Sequence, residues 1–113
     1  MGAKLRITAQ ARQDLDDIWL NRANYSGPDA ADQLLAKVQR KFLLLAQFPE
    51  SGISRDDLAP ALRSSPTQDY LIFYRFLGQT VEIVRILAGR RDIERIFQKD
   101  MPLPNVDIME ENE

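Results

Sequence analysis

Residues 70–88, "YLIFYRFLGQTVEIVRILA", are two runs rich in aromatic, β-branched and aliphatic residues, separated by Gly78-Gln79. Such residues suit the pleated, half-buried surface of a strand, and a two-residue spacer with glycine at a positive-φ position joins strands in a tight antiparallel hairpin. The spacer sets a register. If Leu77 opposes Thr80, then Arg75 opposes Glu82, Phe73 opposes Val84 and Leu71 opposes Ile86, all on one face. The other face carries Tyr70, Ile72, Tyr74, Phe76, Val81, Ile83, Arg85 and Leu87. Apart from the Arg75/Glu82 pair near the turn, the first face is apolar and is expected to pack beneath helices. The second face holds Arg85, and a lone guanidinium is costly to bury, so this face is expected to be open.

Upstream, "AKLRIT" alternates Leu5 and Ile7 with Lys4 and Arg6, the period-two pattern of a short strand. Thr8 can then cap a helix over residues 9 to about 24, whose apolar positions are Ala11, Leu15, Ile18 and Trp19. Trp19 is expected in the core, and the acidic "DLDD" run, residues 14–17, on a solvated face. "SGP", with Pro28 at the first helical position, opens a second helix with the stripe Ala31, Leu34, Leu35, Val38, Phe42 and Leu45. "FPESG" ends it. The short turn between the helices predicts an antiparallel helix hairpin. Residues 50–60 read as an ordered connector, "ALRSS" as a short strand and "SPTQD" as a loop. Past Gly89, "RRDIERIF" reads as a short helical turn, with Ile93, Ile96 and Phe97 spaced to dock on the sheet. The predicted fold class is α+β: an N-terminal strand and an antiparallel two-helix hairpin packed on a small antiparallel sheet (β-α-α-β-β-β), with a short C-terminal helix.

The 113 residues suit one domain. The sequence has no cysteine and no histidine, which removes disulfides, thiolate metal sites and the commonest acid/base side chain. No metal or cofactor is expected. No apolar run approaches the roughly 20 residues that span a bilayer, and the first residues lack the apolar core of a secretory signal, so a cytoplasmic protein without membrane attachment is expected. The net charge of -2 is unevenly spread: residues 100–113 carry five acids and no base, leaving 15 bases against 12 acids in residues 1–99. A mildly basic domain, 1–99, is thus expected to carry an acidic tail, 100–113, that is solvated and flexible.

The predicted element order, together with "ARQDLDDIW", "FPESG", "LRSSP", "YLIFYR" and "VEIVRILAGRRDI", resembles the RelE/ParE toxin superfamily, and its ParE branch in particular. The likeness spans nearly all of residues 5–97. It implies the toxin of a bacterial type II toxin–antitoxin pair, neutralised by a cognate antitoxin (ParD-like or another small repressor) in a hetero-oligomer. The ParE branch implies inhibition of DNA gyrase without nuclease chemistry. The RelE branch implies a ribosome-dependent mRNA endoribonuclease, and a third reading is a degenerate toxin kept for antitoxin binding. Two features favour gyrase. RelE-type relatives often place a tyrosine near the C-terminal end, where this chain has "RIF" with Phe97, and the acidic balance opposes specific nucleic-acid binding by the chain alone. Many relatives also carry a histidine where this chain has Ala88.

The target-binding candidates are Arg63, Tyr74, Arg85, Arg90 and Arg91; no catalytic residue is assigned. Guanidinium forks suit an acidic surface or a phosphate. Arg90 and Arg91, at a strand end, are expected to be exposed. Arg63 and Arg85 fit equally well as ion-pair partners of Asp69, Asp92 or Glu94, and Tyr70 and Tyr74 as sheet packing or interface contacts.

Overall fold

A computed structural model describes residues 2–89 and 93–99. The elements are β1 (Lys4–Ile7), α1 (Ala9–Ser26), α2 (Pro28–Gln47), β2 (Ile53–Ser54), β3 (Leu62–Thr67), β4 (Tyr70–Leu77), β5 (Thr80–Ala88) and α3 (Ile93–Lys99). They form an α+β fold on one sheet of order β1-β5-β4-β3-β2. The sheet is mixed rather than antiparallel throughout, because β1 runs parallel to β5 at one edge while the remaining neighbours are antiparallel.

The predicted caps are present. The Thr8 hydroxyl accepts from the Ala11 N–H, satisfying an orphan donor in the first turn of α1. Gly27, at φ 92°, separates the two helices, and Pro28 begins α2. Four residues of the α2 stripe, Ala31, Val38, Phe42 and Leu45, are 1% exposed or less.

The hairpin turn lies where the sequence places it, with Gly78 at φ 61° and Arg75 opposite Glu82. Beyond Tyr74↔Ile83 the register shifts, so that Phe73 pairs with Arg85 and Leu71 with Leu87 instead of with Val84 and Ile86. Val84 is the extra residue of a β-bulge, which returns Ile86 to the face holding Ile83. The "SPTQD" segment is also shorter as a loop than expected, since β3 runs through Pro66 and Thr67 and turns at Gln68, φ 53°.

Along β4 and, in β5, between the bulge and the turn, the two sheet faces are exchanged relative to the sequence reading, whereas Ile86, beyond the bulge, lies beneath the helices as expected. Ile72, Tyr74, Val81, Ile83 and Ile86 pack beneath α1 and α2 with Leu15, Val38, Phe42 and Leu45. The face expected beneath the helix hairpin, with Phe73 and Val84, instead meets Leu58 and Ala59 of the connector, Leu62 of β3 and Phe97 of α3. Phe73 and Phe97 make an edge-to-face pair at 4.9 Å and 67°. Both faces of the hairpin are apolar, so alternation alone does not say which takes the helices. Arg85 does not keep its face open because Asp14 of α1 reaches it.

Candidate functional site

Two polar constructions fix the sheet to the elements around it. The first lies at the α1–β5 junction. The Asp14 carboxylate accepts from Arg85 Nε at 2.8 Å, Arg85 Nη2 at 3.0 Å and the Ile86 N–H at 2.9 Å. Asp14 is 8% exposed and Arg85 6%. Asp14 is therefore not part of a solvated "DLDD" face. Its position between Ala11 and Ile18 on the buried side of α1 puts it in the apolar stripe, a spacing already visible in the sequence. Nearby, the Thr8 N–H donates to Ile83 O and its hydroxyl to Val84 O. The start of α1 thus continues, through main chain and side chains, the hydrogen bonding that β1 supplies to β5 up to Ile83.

The second construction joins β3 and β4 to the turn after α2. Arg63 and Tyr74 are cross-strand partners. The Tyr74 hydroxyl donates to Pro49 O at 2.8 Å and accepts the Gly52 N–H at 2.9 Å, while Arg63 Nη1 donates to Glu50 O and Gly52 O. A Cβ on Gly52 would come within 2.5 Å of that hydroxyl and 2.8 Å of Ser64 O, so only glycine fits under the latch. "FPESG" is thus both a helix stop and a docked turn. Beside it opens a groove of about 800 Å³, lined by Ala3, Ala46, Phe48, Pro49, Phe76 and Gln79 among others.

Of the predicted site residues, Tyr74 and Arg85 are interior and Arg63 is half-buried, with its Nη1 donating to backbone carbonyls of the docked turn. Arg90 and Arg91, like Asp92 and the tail 100–113, lie outside the described residues. Trp19 is only half-buried; its indole N–H donates to Asp32, tying α1 to α2 at their margin rather than filling the core. Arg75 meets Glu82 at 3.3 Å, and Arg6 approaches the same carboxylate at 3.8 Å. In the connector, two hydrogen bonds from Arg55 hold the Asp57 carboxyl below its ordinary range, and Asp57 raises the Arg55 guanidinium in turn. Among the described residues no cluster of acidic side chains could hold a metal, and no helix is long and apolar enough to cross a membrane.

The profile of the family described as "ParE toxin of type II toxin-antitoxin system, parDE" matches residues 5–93. Toxin ParE3 of Caulobacter vibrioides is 33% identical over 93 residues, covering 82% of this chain and 92% of that protein. Toxin ParE1 of Mycobacterium tuberculosis is 29% identical over 96 residues, covering 84% and 98%. Among solved structures, one described as the chromosomal ParDE system of P. aeruginosa superposes with TM-score 0.67 at 24% identity, covering 76% of this chain and 95% of that one. A chain of the toxin–antitoxin complex RelBE2 of M. tuberculosis gives TM-score 0.55 at 22% identity, covering 78% and 99%.

Proposed function

The chain belongs to the ParE toxin family of type II toxin–antitoxin systems, and from that premise we propose that it acts in the cytoplasm as an inhibitor of DNA gyrase, held inactive by a cognate antitoxin. The observation that carries this reading is the extent of the family match, residues 5–93, which takes in both long helices and nearly the whole sheet. The side-chain chemistry supports it. Cleavage of RNA through its 2′-hydroxyl needs a group free to take a proton and another to stabilise the phosphorane. At the centre of this sheet, the Tyr74 hydroxyl is engaged both as donor and as acceptor, and Arg85 is joined to Asp14 inside the fold. Tyr74 and Arg85 therefore support the target surface from within, and the guanidinium groups of Arg90 and Arg91, with Arg63 beside the docked turn, are the proposed contacts.

The antitoxin segment is proposed to bind as an amphipathic helix followed by an extended strand, burying apolar groups against this body. Exposed Leu43, Leu44 and Phe48, together with the edge strand β1, are the kind of surface such a segment takes.

The test is direct. Purified toxin should reduce supercoiling or accumulate gyrase-cleaved plasmid, while programmed ribosomes should show no new mRNA cuts; the opposite pair of results would make the chain a nuclease. Replacing Arg90 and Arg91 together by alanine should abolish gyrase inhibition with the circular dichroism spectrum unchanged. A folded double variant of full potency would remove these arginines from the site.

A further inference from the structure

We propose that the free edge of β1 receives an extended peptide segment in which acidic and apolar side chains alternate, added as a further strand to the five-stranded sheet. That this segment belongs to the antitoxin rests on the toxin–antitoxin reading; the chemistry of the edge does not. β1 is an edge strand, and three hydrogen bonds set the direction of its main chain. The Lys4 N–H donates to Gln79 O and the Thr8 N–H to Ile83 O, so Lys4, Arg6 and Thr8 turn their main chain toward β5. The main chain of Ala3, Leu5 and Ile7 therefore turns outward. Ala46 O, at the end of α2, takes the Ala3 N–H, and among the described residues the outward amides of Leu5 and Ile7 have no acceptor. A row of unpaired backbone groups on an edge strand is a template for another chain.

The side chains of β1 say what that chain should carry. Leu5 and Ile7 lie on the face beneath the helices, in register with Val81 and Ile83, and Leu5 is still 36% exposed. Arg6 lies on the other face in register with Glu82, which in turn opposes Arg75. Charges thus alternate across three neighbouring strands, positive on β1, negative on β5 and positive on β4, and the series is open at Arg6. The Arg6 side chain is 71% exposed and approaches Glu82 at 3.8 Å, farther than the 3.3 Å at which Arg75 holds the same carboxylate. Arg6 therefore keeps donors for a second carboxylate, and exposed Lys4, two residues along the same face, offers the next. Two copies joined through β1 would set these cations against one another, which opposes self-pairing, whereas an acid beside Arg6 extends the alternation. The apolar side chains of the added strand would cover Leu5 on the opposite face. At the far edge of the sheet, β2 has only two residues and offers no comparable ladder. The groove lined by Ala3, Ala46 and Phe48 opens where β1 begins, so a helix seated against Leu44 and Phe48 can continue directly into the added strand.

The experiment follows amide hydrogen exchange and affinity in the complex of the full chain with its cognate antitoxin. Binding should slow exchange at Leu5 and Ile7 about tenfold or more, the scale of a backbone hydrogen bond gained. Arg6→Gln should weaken binding about threefold and Arg6→Glu about tenfold, and both losses should shrink as salt rises. Arg12→Gln, which removes the same charge from an exposed position of α1, should bind like the wild type. Leu5→Pro deletes an outward donor without touching the bonds of β1 to β5, and should weaken binding about tenfold. Tight binding with unchanged exchange at Leu5 and Ile7, or full affinity in Leu5→Pro, overturns the added strand. Protection at those amides with equal affinity for the wild type and both Arg6 variants overturns its acidic character. If the antitoxin does not bind at all, the toxin–antitoxin reading fails, and a synthetic peptide alternating Glu with Val decides the edge by itself. Amide shifts at Leu5 and Ile7 that a counterpart with Lys in place of Glu does not produce would uphold the proposal, and their absence would overturn it.

Discussion

Arg85 and Arg75 lie on neighbouring strands of one hairpin, and each meets a carboxylate, but the two contacts are built differently. Arg85 and Asp14 have side chains 7% and 9% exposed, and the carboxylate takes two guanidinium bonds and a backbone N–H. Arg75 and Glu82, with side chains 26% and 14% exposed, share one bond at 3.3 Å near an open turn, and Arg6 competes for the same carboxylate. Burial raises both the cost of desolvating charges and the cost of removing one partner. Water and salt near the turn weaken the attraction and the penalty together. The lesson is that the energy of an arginine in this sheet depends on what its neighbours leave behind when it, or its partner, is removed.

The comparison breaks most sharply at Asp14→Ala. That change leaves a guanidinium in the interior and an Ile86 N–H without its acceptor. A loss of about 3–5 kcal/mol is expected, a large part of the stability of a small domain. Urea unfolding measures it; a loss below about 1 kcal/mol would mean that Arg85 and the Ile86 N–H are satisfied without Asp14.

Next in size is Tyr74→Phe, which tests whether the second polar construction behaves like the first. The ring stays, but Pro49 O loses its donor and the Gly52 N–H its acceptor, for an expected loss of about 1–3 kcal/mol. Gly52→Ala should cost at least as much, because its Cβ would meet both the hydroxyl and the backbone at Ser64. If Tyr74→Phe melts with the wild type, the turn is held by Arg63 alone.

These contacts also show what could be read from the residues. Both long helices, their caps, the Gly78 turn and the Arg75/Glu82 opposition are local or follow from a two-residue spacer, and each appears where the sequence puts it. The bulge does not follow from the turn, since an extra residue in β5 leaves no mark on the alternation of a run such as "VEIVRIL". The face exchange has a related cause. Arg85 looked like a solvent marker because its partner lies 71 positions away, on a helix whose acids resembled a solvated run. The exception was visible: Asp14 stands three residues after Ala11 and four before Ile18, in the stripe that α1 buries. Likewise, Tyr74 and Gly52 are joined only by the fold, so their latch could not be inferred from spacing.

The Arg75/Glu82 pair gives a smaller expected effect. Glu82→Gln should cost about 0.2–1 kcal/mol, and the difference from wild type should shrink as salt rises toward about 1 M. The Asp14 effect should persist across the same range, because a buried pair is poorly screened. Equal salt dependence for the two sites would erase the contrast drawn between them.

The smallest effect is expected at Arg55/Asp57, an exposed pair in the connector that also carries Leu58 and Ala59 into the second core. The Arg55 hydrogen bonds hold the Asp57 carboxyl below its ordinary value. A depressed carboxyl stabilises the folded state above the unfolded value, near 3.9, and this contribution is lost as pH falls through the lower folded value. The raised Arg55 has the opposite sign: its contribution is complete at ordinary pH and would be lost only on strongly alkaline titration. Stability attributable to the pair should therefore be flat across about pH 6 to 8 and decline only in acid. Asp57→Asn should show a small deficit at neutral pH that closes as the wild-type carboxyl becomes protonated. Melting temperatures of both proteins across that acid range provide the measurement. A gap that stays constant below about pH 2 would assign the deficit to the neutral hydrogen-bonding geometry of the connector, not to the charge on Asp57.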